Sequence, residues 1–193
     1  CTPNFGTTCP TYQMYTSIAS LVGASGTLAD PVSSCSVNYV DNTSMSTATL
    51  NSGSSYTATL NVSSSYSYQF AVQLWIDFSD DGVFQTSESV GGLSYPLASS
   101  TPTVSITIPS GVKTGTHRMR IMGNYWAGGC CGASNYPGLN PCPTTSVSYG
   151  QVRDYKINIQ SPCSGTPISG ISSSWPTSSC VAFNPRLFTT GHA

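Results

Sequence analysis

The chain has 193 residues and a formal net charge of −1, and only 7% of its residues are charged, against about a quarter in an average soluble domain. A net charge this small excludes electrostatic capture of nucleic acid or of an anionic membrane as the main function. No apolar run approaches the roughly 18 to 20 residues of a membrane span, and neutral hydroxyls on 34 Ser and 23 Thr take the place of surface charges.

Short segments that alternate in polarity, or are rich in Val, Ile, Tyr and Thr, predict β-strands. Helical periodicity is almost absent, and the gaps contain the Gly, Ser, Pro and Asn that turns require. This pattern indicates an all-β fold, and we expect a β-sandwich of jelly-roll type. In chain order, the predicted strands are Tyr12–Val22, Cys35–Val40, Ser54–Val62, Tyr68–Phe78, Thr103–Ile108, Thr116–Tyr125 and Val152–Ile159.

Eight cysteines, an even number at irregular spacing, predict disulfide bonds and an extracellular or cell-surface location. Metal binding by the thiols is the weaker interpretation, because the chain contains no CxxC pair. The cysteines are Cys1, Cys9, Cys35, Cys130, Cys131, Cys142, Cys163 and Cys180.

The spacing of the cysteines suggests some of the pairings. We expect two short loops, closed by Cys1–Cys9 and by Cys163–Cys180. Neighbouring residues seldom offer good bridge geometry, so Cys130 and Cys131 should take different partners. The candidates for those partners are Cys142 and Cys35. A lipid anchor on Cys1 is disfavoured, because it would leave an odd thiol.

One dodecapeptide contains four of the seven acidic residues. Side-chain oxygens fall at its first, third and fifth positions, a Gly at its sixth and a Glu at its twelfth. This is the spacing of an EF-hand calcium loop, in which the carbonyl of the seventh residue is also a ligand. The predicted calcium ligands are Asp77, Ser79, Asp81, the Val83 carbonyl and Glu88, with Asp80 as a supporting acid.

An acidic β-turn is the alternative interpretation of this loop, since Asp-Asp-Gly at Asp80–Gly82 is also a hairpin signal. In a chain so poor in charge, however, four clustered carboxylates repel one another without an evident gain. The clustering therefore favours a bound calcium ion.

Two arginines, Arg118 and Arg120, share one face of a predicted strand. We interpret them as members of a structural ion pair rather than as ligand-binding groups. His117 and His192 have no Ser, Cys or acid partner at a suggestive spacing, and no nucleophile elbow, metalloprotease helix or phosphate loop occurs. The sequence therefore predicts no enzyme activity.

The stretch 124–143 is a long predicted loop rich in Gly, Cys and Pro. Long ordered loops often carry function. Tyr125 and Trp126 could form a stacking platform for a sugar, and the equally weighted alternative is an aromatic plug buried by the disulfides.

After Ile159 the composition shifts to Ser, Pro and Gly, which places a domain boundary near Ser161. The expected organisation is a sandwich domain, 1–160, and a disulfide-stapled extension, 161–193. The apolar residues within 181–188 suggest that this segment packs on a neighbouring subunit and links copies head to tail. A tail that folds back, or one that leads to another domain, is the alternative.

A specific combination of motifs lies in three segments, Leu74–Phe84, Ile108–Ile121 and Tyr149–Tyr155. They resemble, in this order, the W-I-D-F-N-x-D-G-x-F, I-P…G-x-x-R-M-R-V and G-E-V-E-D-Y segments of the GEVED domain family. The likeness covers roughly Tyr12 to Ile159. Such domains are similar to β-sandwich modules of large secreted and cell-surface proteins, often bacterial.

The resemblance implies a metal-binding loop at Asp77–Glu88. It also implies that Asp154 lies near the core, paired with Arg118 or Arg120. The family's two glutamates are absent, so any role of their carboxylates does not carry over. The residues at those positions are Gln151 and Arg153.

Together these features predict a non-enzymatic extracellular structural or adhesive module that binds calcium. The low charge and the apolar tail further suggest that this module is the self-assembling subunit of an extracellular fibre or surface coat. The alternative is a carbohydrate-binding accessory module of a secreted hydrolase, with glycans bound at the long loop.

Overall fold

The structure is a computed structural model that describes residues 1, 9–65, 70–94, 100–125, 138–143 and 149–162. Within these residues the chain forms ten β-strands, together with one short helix, α1 (Cys9–Tyr12), and a 3₁₀ turn at Thr86–Glu88. No helix in this part of the chain is long and apolar enough to cross a membrane. The strands are β1 (Tyr15–Val22), β2 (Thr27–Leu28), β3 (Tyr39–Asp41), β4 (Thr49–Asn51), β5 (Ser55–Ser63), β6 (Phe70–Ile76), β7 (Ser89–Leu93), β8 (Thr103–Thr107), β9 (Gly115–Tyr125) and β10 (Gly150–Gln160).

The chain divides into two units, Cys1–Pro162 and Cys163–Ala193. The second unit lies outside the described residues, as do Trp126, Cys130 and Cys131. The expected tail contact through 181–188 and the expected bridge Cys163–Cys180 therefore remain predictions.

The strands of the first unit form two sheets. The four-stranded sheet has the order β2-β1-β5-β8, and the six-stranded sheet has the order β3-β10-β9-β6-β7, with β4 also paired to β10. Strand β10 runs parallel to β3 and β4, and the other strand pairs are antiparallel. Apolar side chains from both sheets bury one another in a single core. The prediction of an all-β sandwich is confirmed.

Alternation of side chains places the core between the sheets. Ile18 and Leu60 point inward from the small sheet, and Leu74, Ile121 and Ile157 meet them from the large sheet, all fully buried. Burying each such side chain contributes about 1.5–3 kcal/mol. The outer face of the small sheet, by contrast, carries Ser and Thr.

The outer face of the six-stranded sheet is covered by a second apolar layer. Its buried members are Ala71, Trp75, Phe84, Met122, Leu139 and Val152. Leu139 comes from the described end of the long loop, and Cys142 packs against the same layer. Consequently the part of the sheet beneath this layer is buried on both faces, and polar groups there must find partners inside the protein.

Three short strands, β2, β4 and β7, are not predicted by the alternation of the sequence. The first two have only two and three residues, too few to show a period. The third contains Gly91 and Gly92, which are typical of turns, but Gly91 lets β7 approach the Ser105 carbonyl of β8 more closely than a Cβ would allow.

The observed disulfides are Cys1–Cys142 and Cys9–Cys35. The expected Cys1–Cys9 bridge is therefore wrong, and neither Cys35 nor Cys142 is available to the adjacent pair in the long loop. Proximity in sequence misled the prediction, because Cys9 is buried beside Tyr15 and Cys35, whereas Cys1 lies at the Arg120 side chain. Both pairs fit an extracellular protein.

Peptide mapping under non-reducing conditions should recover both bridges. Chymotryptic cleavage after Phe5 separates Cys1 from Cys9, so the two should appear in different linked peptides, one with Cys142 and one with Cys35. A thiol assay on the unfolded, unreduced chain should find no free cysteine. A linked Cys1–Cys9 peptide, or two or more reactive thiols, would contradict this framework.

Candidate functional site

The central polar feature of the large sheet is an ion pair between neighbouring strands. Arg120 of β9 lies directly opposite Asp154 of β10. The Arg120 Nε donates to Asp154 Oδ1 and its Nη2 to Asp154 Oδ2, both at 2.7 Å, and both side chains are fully buried. A two-pronged pair of this kind offsets the cost of burying the two charges because every contact is short and aligned.

The remaining Arg120 donors reach the layer that covers the sheet. Nη1 donates to the Pro141 carbonyl at 2.7 Å and Nη2 to the Cys1 carbonyl at 2.9 Å. The guanidinium carbon lies 4.4 Å from the centre of the Phe84 ring, within the range of a cation–π contact. Arg120 therefore ties β10, the acidic loop and the segment around the Cys1–Cys142 bridge to one point.

Asp154 has two further neighbours. The exposed Arg118 lies 3.6 Å from Asp154 Oδ2 and 3.3 Å from Asp41 Oδ2. The Tyr39 hydroxyl donates to Asp154 Oδ2 at 3.0 Å. Burial, with the adjacent Asp154 carboxylate, raises the pKa of Tyr39 to about 12.

A second buried ion pair lies on the core side of β10 and was missed by sequence analysis. Asp30 Oδ2 accepts from Arg153 Nη1 at 3.1 Å, from the Tyr155 hydroxyl at 2.7 Å and from Asn42 Nδ2 at 2.9 Å. Arg153 Nε also donates to Gln151 Oε1 at 3.0 Å. Burial and the Asp30 carboxylate raise the pKa of the Tyr155 hydroxyl well above its usual value.

Gly150 precedes these residues and has a φ of 150°. A Cβ at this position would collide with the carbonyl oxygen of Gly123 on β9. Gly150, the first residue of β10, is therefore required for β10 to approach β9 closely.

The acidic loop folds around the buried carboxylate of Asp77. Its Oδ1 accepts from Ser79 Oγ at 3.1 Å and from the Asp81 N–H at 3.3 Å, and its Oδ2 accepts from the Gly82 N–H at 2.9 Å. Gly82 has a φ of 79°, which a residue with a side chain would adopt only under strain. These bonds explain why Asp begins the loop and Gly occupies its sixth position.

The other end of the loop is held by Glu88, in the 3₁₀ turn. Glu88 Oε1 accepts from the Ser79 N–H at 3.1 Å and Oε2 from the Gln85 N–H at 3.0 Å. Asp81 Oδ1 accepts from the Val83 N–H at 2.8 Å. The two ends of the loop are thus closed onto Ser79 by Asp77 and Glu88.

Asp80 points away from this carboxylate group. It has a φ of 57° and contacts Lys113 Nζ at 2.7 Å and His117 Nδ1 at 2.9 Å. The hydrogen bond from Lys113 holds the pKa of Asp80 below its usual range. The buried His117 also meets the Asp77 carbonyl at 3.0 Å and the Lys113 carbonyl at 2.9 Å, so it locks the loop to β9.

The donor set of the loop suits calcium, which prefers carboxylate, hydroxyl and carbonyl oxygens. A carboxylate has about four lone-pair sites, so Asp77, Asp81 and Glu88 keep acceptor capacity beyond their N–H bonds. Among the described residues, however, no three His, Cys, Asp or Glu side chains are gathered where they could hold a metal ion. The loop is closed by its own N–H groups.

Tyr125 ends β9 with its ring 5.8 Å from that of Tyr149 in an edge-to-face contact. Both rings pack against the core of the sandwich. Trp126, the other half of the expected stacking platform, lies outside the described residues. The structure therefore brings together the loop residues and the ion pair, but it does not show a platform for a sugar.

The fold and these contacts define a disulfide-bonded β-sandwich module organised by buried ion pairs. The family model of the GEVED domain matches residues 71–158, a range that contains the acidic loop, all of β9 and most of β10. The resemblance indicated by the three sequence motifs is confirmed.

The search of curated proteins found no match. Among solved structures, the chain is similar to a family 123 glycoside hydrolase from Clostridium perfringens, described for glycolipid glycan hydrolysis, with 13% identity and a TM-score of 0.31. The alignment covers 65% of this chain and 23% of that chain, so the chain spans about a quarter of the length of the hydrolase.

Replacing Arg120 should destabilise the fold strongly. Arg120→Met leaves the Asp154 carboxylate buried without its cation, a change that typically costs about 3–5 kcal/mol. Arg118→Met is the matched control on the same strand, and because Arg118 is exposed it should cost about 1 kcal/mol or less. Denaturant unfolding measures both, and equal losses would contradict the assigned role of Arg120.

The Tyr39 hydroxyl should make stability depend on alkaline pH. Its pKa is about 12 in the fold and about 10 in an unfolded chain. A raised folded-state pKa stabilises the protein below pH 10, and this stabilisation is lost as pH rises to 12. Tyr39→Phe should therefore unfold more easily than the native chain at pH 8, by about 1 kcal/mol, and the difference should shrink between pH 10 and 12.

Proposed function

We propose that this chain is a non-enzymatic extracellular module with a structural or adhesive role. The observation that carries this proposal is the use of its buried charges. Asp154 is bound by Arg120, and Asp30 is bound by Arg153. None of these four groups lines the cavity that lies between Tyr15, Asn61 and Thr101. Charges committed to holding a sheet together do not serve as catalytic acids or bases.

The second proposal concerns calcium at the acidic loop. The ion would be held by Asp77, Ser79, Asp81, the Val83 carbonyl and Glu88, and it would cross-link the two ends of the loop. The EF-hand spacing and the all-oxygen donor set support it. The competing description is a metal-free turn closed by backbone N–H groups, with the Lys113 ammonium compensating the charge of Asp80.

Calcium should raise the melting temperature, because an ion that binds only the folded chain stabilises it by about 2.7 kcal/mol at 100 times its dissociation constant. Asp81→Ala should abolish the shift between calcium and chelator. Asp41→Ala, an acid outside the loop, should leave it intact. Coincident melts of the native chain with calcium and with chelator would establish the metal-free turn.

Assembly into a fibre or coat is the third element of the proposed function. The support is in the sequence, where 181–188 combines apolar residues with a Pro that suits an edge position. A head-to-tail contact of this kind does not close on itself and so produces filaments.

Removing the tail should abolish assembly. A chain ending at Ser161 should remain monomeric in sedimentation velocity and should show no filaments by negative-stain microscopy. Phe183→Lys with Phe188→Lys keeps the tail length and its cysteines and should have the same effect. Native-like filaments from the shortened chain would show that the tail does not link subunits.

The alternative function, a carbohydrate-binding accessory module of a secreted hydrolase, is favoured by one observation. A described cavity of 290 Å³ is lined by Tyr, Asn, Ser, Thr and Val and by no charged residue. Neutral side chains with hydrogen-bonding groups are suited to neutral, hydroxyl-rich ligands.

A further inference from the structure

The four-stranded sheet differs in charge from the rest of the molecule. Its strands, β1, β2, β5 and β8, contain no Asp, Glu, Lys, Arg or His. Strands β9 and β10 of the other sheet contain His117, Arg118, Arg120, Arg153, Asp154 and Lys156. The outer face of the small sheet is therefore a neutral surface on one side of the sandwich.

Hydroxyl groups form a regular array on this neutral face. Residues directly opposite on antiparallel strands share a face, and alternate residues along one strand do so as well. The array repeats at about 4.8 Å between strands and about 6.7 Å along them. Its cross-strand pairs on β5 and β8 are Ser55 with Thr107, Thr57 with Ser105, and Thr59 with Thr103.

These hydroxyls are accessible and neutral. Thr57 and Ser105 are exposed, and Ser55 Oγ lies 3.0 Å from Thr107 Oγ1. A β-branched Thr on a strand has few side-chain rotamers, so little conformational entropy is lost when its hydroxyl binds a partner.

The 290 Å³ cavity lies at one end of the same face. The bridge between Val62 and Ser100 keeps the β5–β8 register, so Thr101 lies opposite Asn61 on the hydroxyl face. Asn61 Nδ2 donates to the Val32 carbonyl at 3.1 Å, which fixes the amide and leaves its oxygen as an acceptor. Tyr15, paired with Ser63, also lines the cavity.

We propose that this face binds a neutral polysaccharide, with one sugar unit seated in the cavity and the neighbouring units on the hydroxyl array. A charged partner would lose its hydration here without meeting an opposite charge. A neutral sugar chain instead replaces its hydrogen bonds to water with hydrogen bonds to the protein. The Ser and Thr hydroxyls and the Asn61 amide can both donate and accept such bonds. This inference rests on the proposed non-enzymatic adhesive role and names its partner.

Co-sedimentation of the full chain with insoluble polysaccharides tests the proposal. The neutral probes are cellulose, chitin and starch granules, and calcium-crosslinked alginate is the anionic probe. We expect retention by at least one neutral probe and none by alginate. Thr57→Lys and Thr101→Lys should each weaken binding roughly tenfold, whereas the matched control Thr116→Lys, at an exposed position of β9, should not change it.

Three results would overturn the inference: no retention on any neutral probe, equal retention on alginate, or equal effects of Thr57→Lys and Thr116→Lys. Sedimentation velocity without polysaccharide tests whether a second copy of the chain binds this face instead. A dimer that Thr57→Lys abolishes would show that it does, and would overturn the inference. Release of reducing ends is measured in parallel. Binding without release of reducing ends supports both the inference and the non-enzymatic role. Release of reducing ends would overturn that role. Absence of binding would overturn the inference alone.

Discussion

A guanidinium and a carboxylate that face each other inside a β-sheet determine how the rest of this molecule is arranged. Asp154 can occupy the buried outer face of β10 only because Arg120 neutralises it with two short hydrogen bonds, since an unpaired carboxylate there would be too costly to desolvate. The same guanidinium binds the Pro141 and Cys1 carbonyls. One interaction thus positions the central strands and the layer that covers them.

Charge in this chain is scarce and segregated. The ion pairs involve the large sheet and connecting segments, including Arg153 with Asp30 and Asp80 with Lys113, while the strands of the small sheet contain no charged residue. Electrostatic interactions therefore serve mainly to connect segments that are distant in sequence. The opposite side of the sandwich presents hydroxyl groups. A neutral partner can bind there without the cost of removing a charge from water.

The parts of the fold that could be predicted are those encoded by local pattern. The alternation of polar and apolar residues predicted the longer strands. The spacing of oxygen-bearing residues from Asp77 to Glu88 predicted a loop, and the carboxylates of these two residues close it. The partners of Arg153 and Cys1 could not be predicted, because Asp30 lies 123 residues from Arg153 and Cys142 lies 141 residues from Cys1, and nothing local marks either contact. The N–H bonds that satisfy Asp77 were missed because oxygen spacing describes a calcium loop and a self-closed turn equally well.

The position of β10 has a consequence for how the chain reaches its folded state. This strand, the last of the ten described, lies between β9 on one side and β3 and β4 on the other. The large sheet therefore cannot close until residue 160 is free to pair, and most of its pairing joins residues far apart in sequence. Such topologies fold slowly, typically in milliseconds to seconds. Because β10 joins β9 to β3 and β4, the large sheet and the Arg120–Asp154 pair that anchors its covering layer form only after most of the described chain has been synthesised.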